Sequence, residues 1–245
     1  MNNLLKMERY QLLRNRTYWF GMLGVFLIGF MTAETYVPEV MGPSGGAATS
    51  LTDIFNGMVY DSTFLLIFIS SIAALIFGQE FSCRTLSQEV CAGHTRRQIF
   101  ISKVVSYLAA FNLMALVYPV SGCIREFSRF GIASEDLFLY HVSKAVFYSF
   151  MLNSAVFLIA IFLCCCFQNA AKAVAVTAVV TFVLSLYLGY GLMLKLPVSF
   201  LPTFQIREAL IIPGFLTVPA FLVAAVWMAV LLSVSWGIFC KCDLK

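Results

Sequence analysis

The side chains that could perform catalysis are few in this sequence, and their spacing matches no catalytic motif. The two histidines, His94 and His141, lie far apart, and no H-E-x-x-H zinc-protease pattern occurs. The G-x-x-x-x-G-K-[ST] loop that cradles nucleotide phosphates is also missing. We therefore expect a chain that is not an enzyme, binds no cofactor itself and depends on a partner for chemical energy.

Polar residues concentrate in one stretch, from Glu80 to Lys103, which separates two long apolar runs. Within it, Leu86 and Val90 are four residues apart among polar neighbours, and this spacing gives a short helix one apolar stripe. Gly93 favours the end of that helix, and two arginines follow before the next apolar run. The pattern predicts a surface at which another protein docks on the cytoplasmic side.

The composition places this stretch in a membrane protein. Hydrophobic residues make up 61% of the 245 residues and charged residues only 11%, with a mean hydropathy of +0.90. A soluble fold of this length cannot bury so much apolar surface. The net charge of +4 is better explained by basic residues on short cytoplasmic loops than by nucleic-acid binding, which we do not expect.

Six segments are long and apolar enough to cross a bilayer, which takes roughly 20 residues of helix. We expect an all-α fold, with residues 1–245 forming a single transmembrane domain. The predicted spans cover residues 18–36, 62–78, 104–122, 145–167, 173–194 and 218–239.

Three further segments connect or flank these spans. Residues 1–17 form a basic, partly apolar segment that suits either an interfacial helix or a plain positive flank. Residues 37–58 are rich in turn-forming residues and predict an outer loop. Residues 195–217 contain three prolines yet stay apolar, which favours broken helices that re-enter the outer leaflet.

The distribution of charge predicts the orientation in the plasma membrane. With the N-terminus in the cytoplasm, eleven of the sixteen Lys and Arg residues fall inside, against four of the twelve acidic residues. This satisfies the positive-inside rule with both termini cytoplasmic. No predicted span has a charged residue near its middle, which argues against an ion-coupled carrier.

This orientation predicts the redox state of the eight cysteines. Most face a reducing cytoplasm, so free thiols are expected instead of disulfides. Neither Cys240-Lys-Cys242 nor the run that begins at Cys164 has the C-x-x-C pairing of a closed metal site, and no metal is predicted. Asn153, in the fourth span, is expected to form a hydrogen bond between helices.

The order of residues in the polar stretch resembles the cytoplasmic loop between the second and third spans of type-2 ABC exporter permeases. In that family an acidic residue is followed by a Thr-Leu pair, then by a Gly-x-Ser-Arg turn and by a Lys that opens the third span. Six spans, a basic segment like the family's elbow helix at 1–17, and Leu201-Pro202-Thr203 in an apolar last outer loop extend the resemblance to the whole chain. The matching residues of the stretch are Glu80, Thr85, Leu86, Gly93, Thr95, Arg96 and Lys103, with Thr95 in place of Ser and Arg84 in place of the usual Gly.

The resemblance implies a permease domain that pairs with a second permease copy, or a homologue, and with two cytoplasmic ABC ATPase subunits. Those subunits would bind ATP and Mg. Residues 80–101 would be a coupling loop, with Leu86 and Val90 as anchors in a groove of the ATPase. The residues implied in this contact are Glu80, Thr85, Leu86, Glu89, Val90, Gly93, Arg96 and Arg97.

The same resemblance suggests the direction and the kind of substrate. The loop is similar to those of bacterial permeases for peptide or lantibiotic export, which implies an amphipathic peptide or another hydrophobic compound moved out of the cell. Two other functions stay open: a secondary carrier or channel, and a membrane scaffold or sensor subunit without transport. Arg96 and Arg97 also fit plain positive-inside flanking of a span.

Overall fold

All regular secondary structure is helical in the part of the chain that the computed structural model describes, residues 2–38, 46–83, 85–132, 135–212 and 214–242. Six helices, α2, α4, α6, α7, α8 and α10, are long and apolar enough to cross a membrane. The predicted all-α fold with six spans is therefore confirmed. In chain order the helices are α1 (Asn2–Arg14), α2 (Arg16–Thr32) continued by a 3₁₀ turn (Ala33–Tyr36), α3 (Leu51–Tyr60), α4 (Thr63–Ser82), α5 (Thr85–Cys91), α6 (Arg96–Glu126), α7 (Glu135–Phe167), α8 (Ala170–Met193), α9 (Pro202–Ile211) and α10 (Val218–Lys241).

The third span is longer than its apolar run. α6 begins at Arg96, eight residues before the predicted start, because Thr95 and Gln98 form a capping box. The Thr95 hydroxyl accepts a hydrogen bond from the Gln98 N–H at 3.3 Å, and the Gln98 side chain accepts one from the Thr95 N–H at 3.3 Å. Because hydropathy detects only the apolar part of a helix, the polar first turns of α6 were not included in the predicted span. Lys103 therefore lies inside α6 and not at its start.

The connection between the first and second spans contains a helix that was not predicted from the sequence. Residues 51–60 form α3, whose N-terminus is capped by Ser50 and Asp53. Its apolar face buries Ile54 and Met58 completely. The Gly- and Pro-rich residues that indicated a loop include residues 39–45, which lie outside the described residues.

The bundle is organised around α7, the most deeply buried of the six long helices. It packs against α4, α8 and α10, while α2 packs against α6. At Gly29 the backbones of α2 and α6 come so close that a Cβ atom would collide with the Ser121 hydroxyl. α2, α8 and α10 expose most of their apolar side chains, as expected for surfaces covered by lipid or by another subunit.

One interhelical hydrogen bond differs from the prediction made for Asn153. The Asn153 amide donates to the Ser149 hydroxyl at 2.8 Å, within its own helix. The bond between helices is made by Asn112 of α6, whose amide donates to the Ser154 hydroxyl of α7 at 2.9 Å. Asn112 and Asn153 are both buried polar residues, and only the packing of α6 on α7 decides which of them reaches across.

The segment at 195–217 contains one short helix, α9, flanked by irregular chain. α9 packs against α3, α7 and α10. The Arg207 guanidinium contacts the Asp61 carboxylate at 3.1 Å, donates to the Tyr60 carbonyl at 3.1 Å and lies 4.9 Å from the centre of the Tyr60 ring. These contacts fix α9 to the junction of α3 and α4. Re-entry of this segment into a bilayer stays a prediction.

Candidate functional site

The polar stretch folds as a short helix that connects the ends of α4 and α6. This helix, α5, turns Leu86 and Glu89 into the protein, with exposed fractions of 1% and 6%. Val90 is half-buried against the same core. Gln88 and Cys91 lie on the exposed side of α5. The apolar stripe of this helix therefore packs on its own bundle.

The end of α5 has the geometry that glycine favours. Gly93 has a φ of +90°, in the left-handed region. Its N–H donates to the Val90 carbonyl at 3.0 Å, and the His94 N–H donates to the Glu89 carbonyl at 3.3 Å. This pair of bonds is a Schellman motif. The prediction that Gly93 ends the helix is confirmed.

The two adjacent arginines at the start of α6 have different surroundings. The Arg96 guanidinium donates to the Cys240 carbonyl at 2.6 Å and to the Cys242 carbonyl at 3.1 Å. These carbonyls lie at the C-terminus of α10, where backbone oxygens lack partners within the helix. Arg97 is exposed. Arg96 thus joins α6 to α10, and Arg97 is the more exposed of the two arginines.

A buried ionic cluster lies beneath α5 and is centred on Lys103. The Lys103 ammonium contacts Glu8 of α1 at 2.8 Å, Glu80 of α4 at 2.6 Å and Glu89 of α5 at 2.9 Å. The side chains of Lys103 and Glu8 are each only 1% exposed. One ammonium group therefore connects four helices: the N-terminal helix, the second and third spans, and the helix between these spans. We call these four residues the Lys103 cluster.

Two hydrogen bonds orient the Glu80 end of the Lys103 cluster. The Tyr107 hydroxyl, one turn along α6 from Lys103, donates to the Glu80 carboxylate at 2.6 Å. The Thr85 hydroxyl, at the first residue of α5, donates to the Glu80 backbone carbonyl at 3.1 Å. The end of α4 is therefore linked to α6 through Tyr107 and to the start of α5 through Thr85.

The Lys103 cluster contains three carboxyl groups for one ammonium group, and this imbalance affects proton binding. Burial raises the pKa of Glu8 to about 7, because desolvation and the neighbouring Glu80 and Glu89 outweigh the attraction of Lys103. Burial also raises the pKa of Glu89, again against the attraction of Lys103. One oxygen of Glu8 has no hydrogen-bond partner in the described structure. Burial thus favours the neutral form of Glu8 more than it would be favoured in an exposed carboxyl group.

The residues implied as ATPase contacts fall into two groups. Glu80, Leu86, Glu89 and Arg96 make contacts within this chain, and a direct contact of these residues with an ATPase stays a prediction. Thr85 and Val90 are half-buried, whereas Gly93 and Arg97 are exposed. Arg84, where the family has Gly, lies outside the described residues.

Glu8 and Tyr107 were not predicted from the sequence as members of this site. Glu8 is the single acidic residue among the four basic residues of residues 1–17, and its isolation was the available signal. Tyr107 follows Lys103 by four residues, so both lie on one face of α6. Glu80, which contacts both Lys103 and Tyr107, belongs to another helix, and a contact of that kind is determined by packing.

The described residues thus form six helices long enough to cross a membrane, with a short helix between the second and third of them. A family model described as "ABC-2 family transporter protein" matches residues 4–185, about three quarters of the chain. The chain belongs to the ABC-2 transporter family. It is therefore a transmembrane subunit of an ABC transporter and functions with an ABC ATPase subunit. No curated protein matches the chain.

Proposed function

We propose that this protein is the permease of an ATP-driven exporter that moves an amphipathic or hydrophobic compound, such as a peptide, out of the cell. The resemblance of residues 80–103 to peptide-export permeases supports the direction and the substrate class. The pairing of two permease subunits, the cytoplasmic position of both termini and the location in the plasma membrane are parts of the same proposal. The bound ATP and Mg belong to the partner subunits.

The Lys103 cluster is the observation that carries the coupling part of the proposal. When the ATPase displaces α5, Glu89 moves with this helix. The ion pairs between Lys103 and the three carboxylates couple that movement to the second and third spans and to α1. Because the cluster is buried and held by short contacts, these helices move together. α5 thus receives motion through its exposed face and transmits it through its buried face.

The surface that meets the ATPase is accordingly the exposed side of α5 and the turn after it. Gln88, Cys91 and Gly93 lie there, with Arg97 at the start of α6. Leu86, Val90 and Glu89 support this surface from inside. Thr85 and Glu80 hold its first turn against α4.

Charge reversal at Arg97 tests this docking surface. We expect Arg97→Glu to reduce the amount of ABC ATPase that co-purifies with the permease at least several-fold, since it replaces an exposed cation by an anion at the contact. Lys172→Glu is the matched control, because it makes the same change at an exposed residue of α8. Equal ATPase yield in the two variants would contradict the docking surface.

Transport in inside-out vesicles tests the function as a whole. Vesicles that contain both subunits are expected to accumulate a labelled amphipathic peptide only with ATP, and the substrate should stimulate ATP hydrolysis. Uptake by the permease alone, without ATP, would instead identify a carrier or channel. ATPase binding without substrate-stimulated hydrolysis would identify a scaffold or sensor.

A further inference from the structure

An apolar groove with a volume of about 360 Å³ lies between α1, the start of α2 and the N-terminal half of α6. Its floor is formed by Leu12 and Tyr18, which are 6% and 4% exposed. The α6 wall consists of Val105, Ala109 and Leu113, spaced four residues apart on one face of the helix. The volume falls in the range of small-molecule sites, about 300–1,000 Å³.

The small side chains of α6 create this groove. Ala109 is exposed between Val105 and Leu113, which are themselves 51% and 59% exposed. The Tyr18 hydroxyl already donates to the Ala110 carbonyl at 3.1 Å, and Ser106 is the other uncharged polar side chain of the lining, so the groove along α6 is mainly apolar. An occupant of this part of the groove is therefore apolar and elongated along α6.

The mouth of the groove is positively charged. Arg9 lines it, and Lys6, Arg14 and Arg16 are exposed on the same N-terminal segment. None of these four residues pairs with a carboxylate in the described part of the chain. Glu8, next to Arg9, points away into the Lys103 cluster. An anion is thus the complement of this mouth.

We propose that the groove binds one anionic phospholipid, with an acyl chain along the Val105–Leu113 face of α6 and the phosphate at Arg9. An apolar chain that ends in an anionic group matches the apolar walls and the basic mouth together. Arg9 reaches the headgroup layer with its guanidinium while its aliphatic stem borders the groove. Basic segments beside a span attract anionic lipids of the cytoplasmic leaflet. The proposal goes beyond transport and requires only that α6 crosses the bilayer.

Lipid retention by the purified permease–ATPase complex tests this site. The complex is placed in nanodiscs of equal parts phosphatidylglycerol and phosphatidylcholine, extracted into detergent, and its retained lipid is measured by mass spectrometry. We expect one phosphatidylglycerol per permease chain to resist extraction. Ala109→Phe, which fills the groove, and Arg9→Gln, which removes its cation, should each lower this retention several-fold.

Two variants serve as controls. Ala229→Phe adds the same ring to an exposed alanine of α10, and Lys172→Gln removes the same charge from an exposed residue of α8 outside the groove lining. Both should retain lipid as the unaltered chain does. Equal retention in all variants, or equal retention of phosphatidylcholine, would overturn the proposal in favour of unspecific lipid around the protein. A changed oligomeric state in Ala109→Phe with unchanged lipid would assign the groove to a second copy and overturn it too. Arg9 is exposed, so Arg9→Gln keeps the test decisive if Ala109→Phe fails to fold.

Discussion

At the scale of single residues, Lys103 is a buried cation in contact with three carboxyl groups. Its ammonium group is buried and is the only cation in contact with Glu8, Glu80 and Glu89 within the described residues. A buried charge that loses its partner cannot recover its hydration. The cluster therefore gives Lys103 a structural role in addition to the coupling role proposed for it.

Replacement of Lys103 tests that role. Lys103→Met should destabilise the protein by about 3–5 kcal/mol, because three carboxyl groups lose their common cation. Lys103→Arg keeps the positive charge and should be much less harmful. Thermal unfolding in detergent, followed by fluorescence, measures both variants. If the Met variant melts at the same temperature as the Arg variant, the cluster does not hold these helices together.

At the scale of elements, the apolar side of the amphipathic helix α5 packs against its own bundle and not against another protein. The stripe of Leu86 and Val90 was correctly identified as apolar, but the spacing of apolar residues does not say what covers them. In the fold, the helix bundle covers Leu86. Glu89 is polar but is also buried, because Lys103 provides an oppositely charged partner. The exposed side of α5 is consequently its polar side.

The turn after α5 yields a second prediction. Gly93→Ala should cost about 1–2 kcal/mol, since a side chain disfavours the left-handed backbone found there. A Cβ at Gly93 would meet no atom within 4 Å, so the cost arises from the backbone alone. Gly131→Ala is the control, because its added methyl group also meets open space and its φ is not positive. Thermal unfolding should show a loss for Gly93→Ala and little change for Gly131→Ala; a similar loss in both would contradict this reason.

At the scale of the whole molecule, ionic contacts lie near both ends of the bundle. The Lys103 cluster joins α1, α4, α5 and α6, and the pair of Asp61 and Arg207 joins α9 to the start of α4. α4 takes part in both, through Glu80 near its last turn and through its junction with α3. α4 therefore connects the proposed coupling surface with the segment at 195–217.

Cysteine labelling tests the proposed orientation of this bundle. Cys83 and Cys91 are exposed at the end that carries α5. A membrane-impermeant maleimide should label them in inside-out vesicles and leave them unlabelled in intact cells. Ser128→Cys, an exposed position beyond the other end of α6, should show the opposite pattern. Labelling of Cys83 and Cys91 from outside intact cells would reverse the proposed topology.

The sequence by itself determined the class of this protein, because hydrophobicity, helix-ending glycine and charge asymmetry are local properties. It predicted six spans, a short helix before Gly93 and the polar stretch as the important loop, and the family match agrees with that class. Only the tertiary structure decided what Glu8, Glu89 and Arg96 do. Glu8 and Arg96 contact residues that are far away in the sequence, Lys103 and Cys240, and Glu89 contacts Lys103 across the turn that follows α5. These contacts therefore exist only after the helices pack. The inward orientation of α5 follows from those contacts.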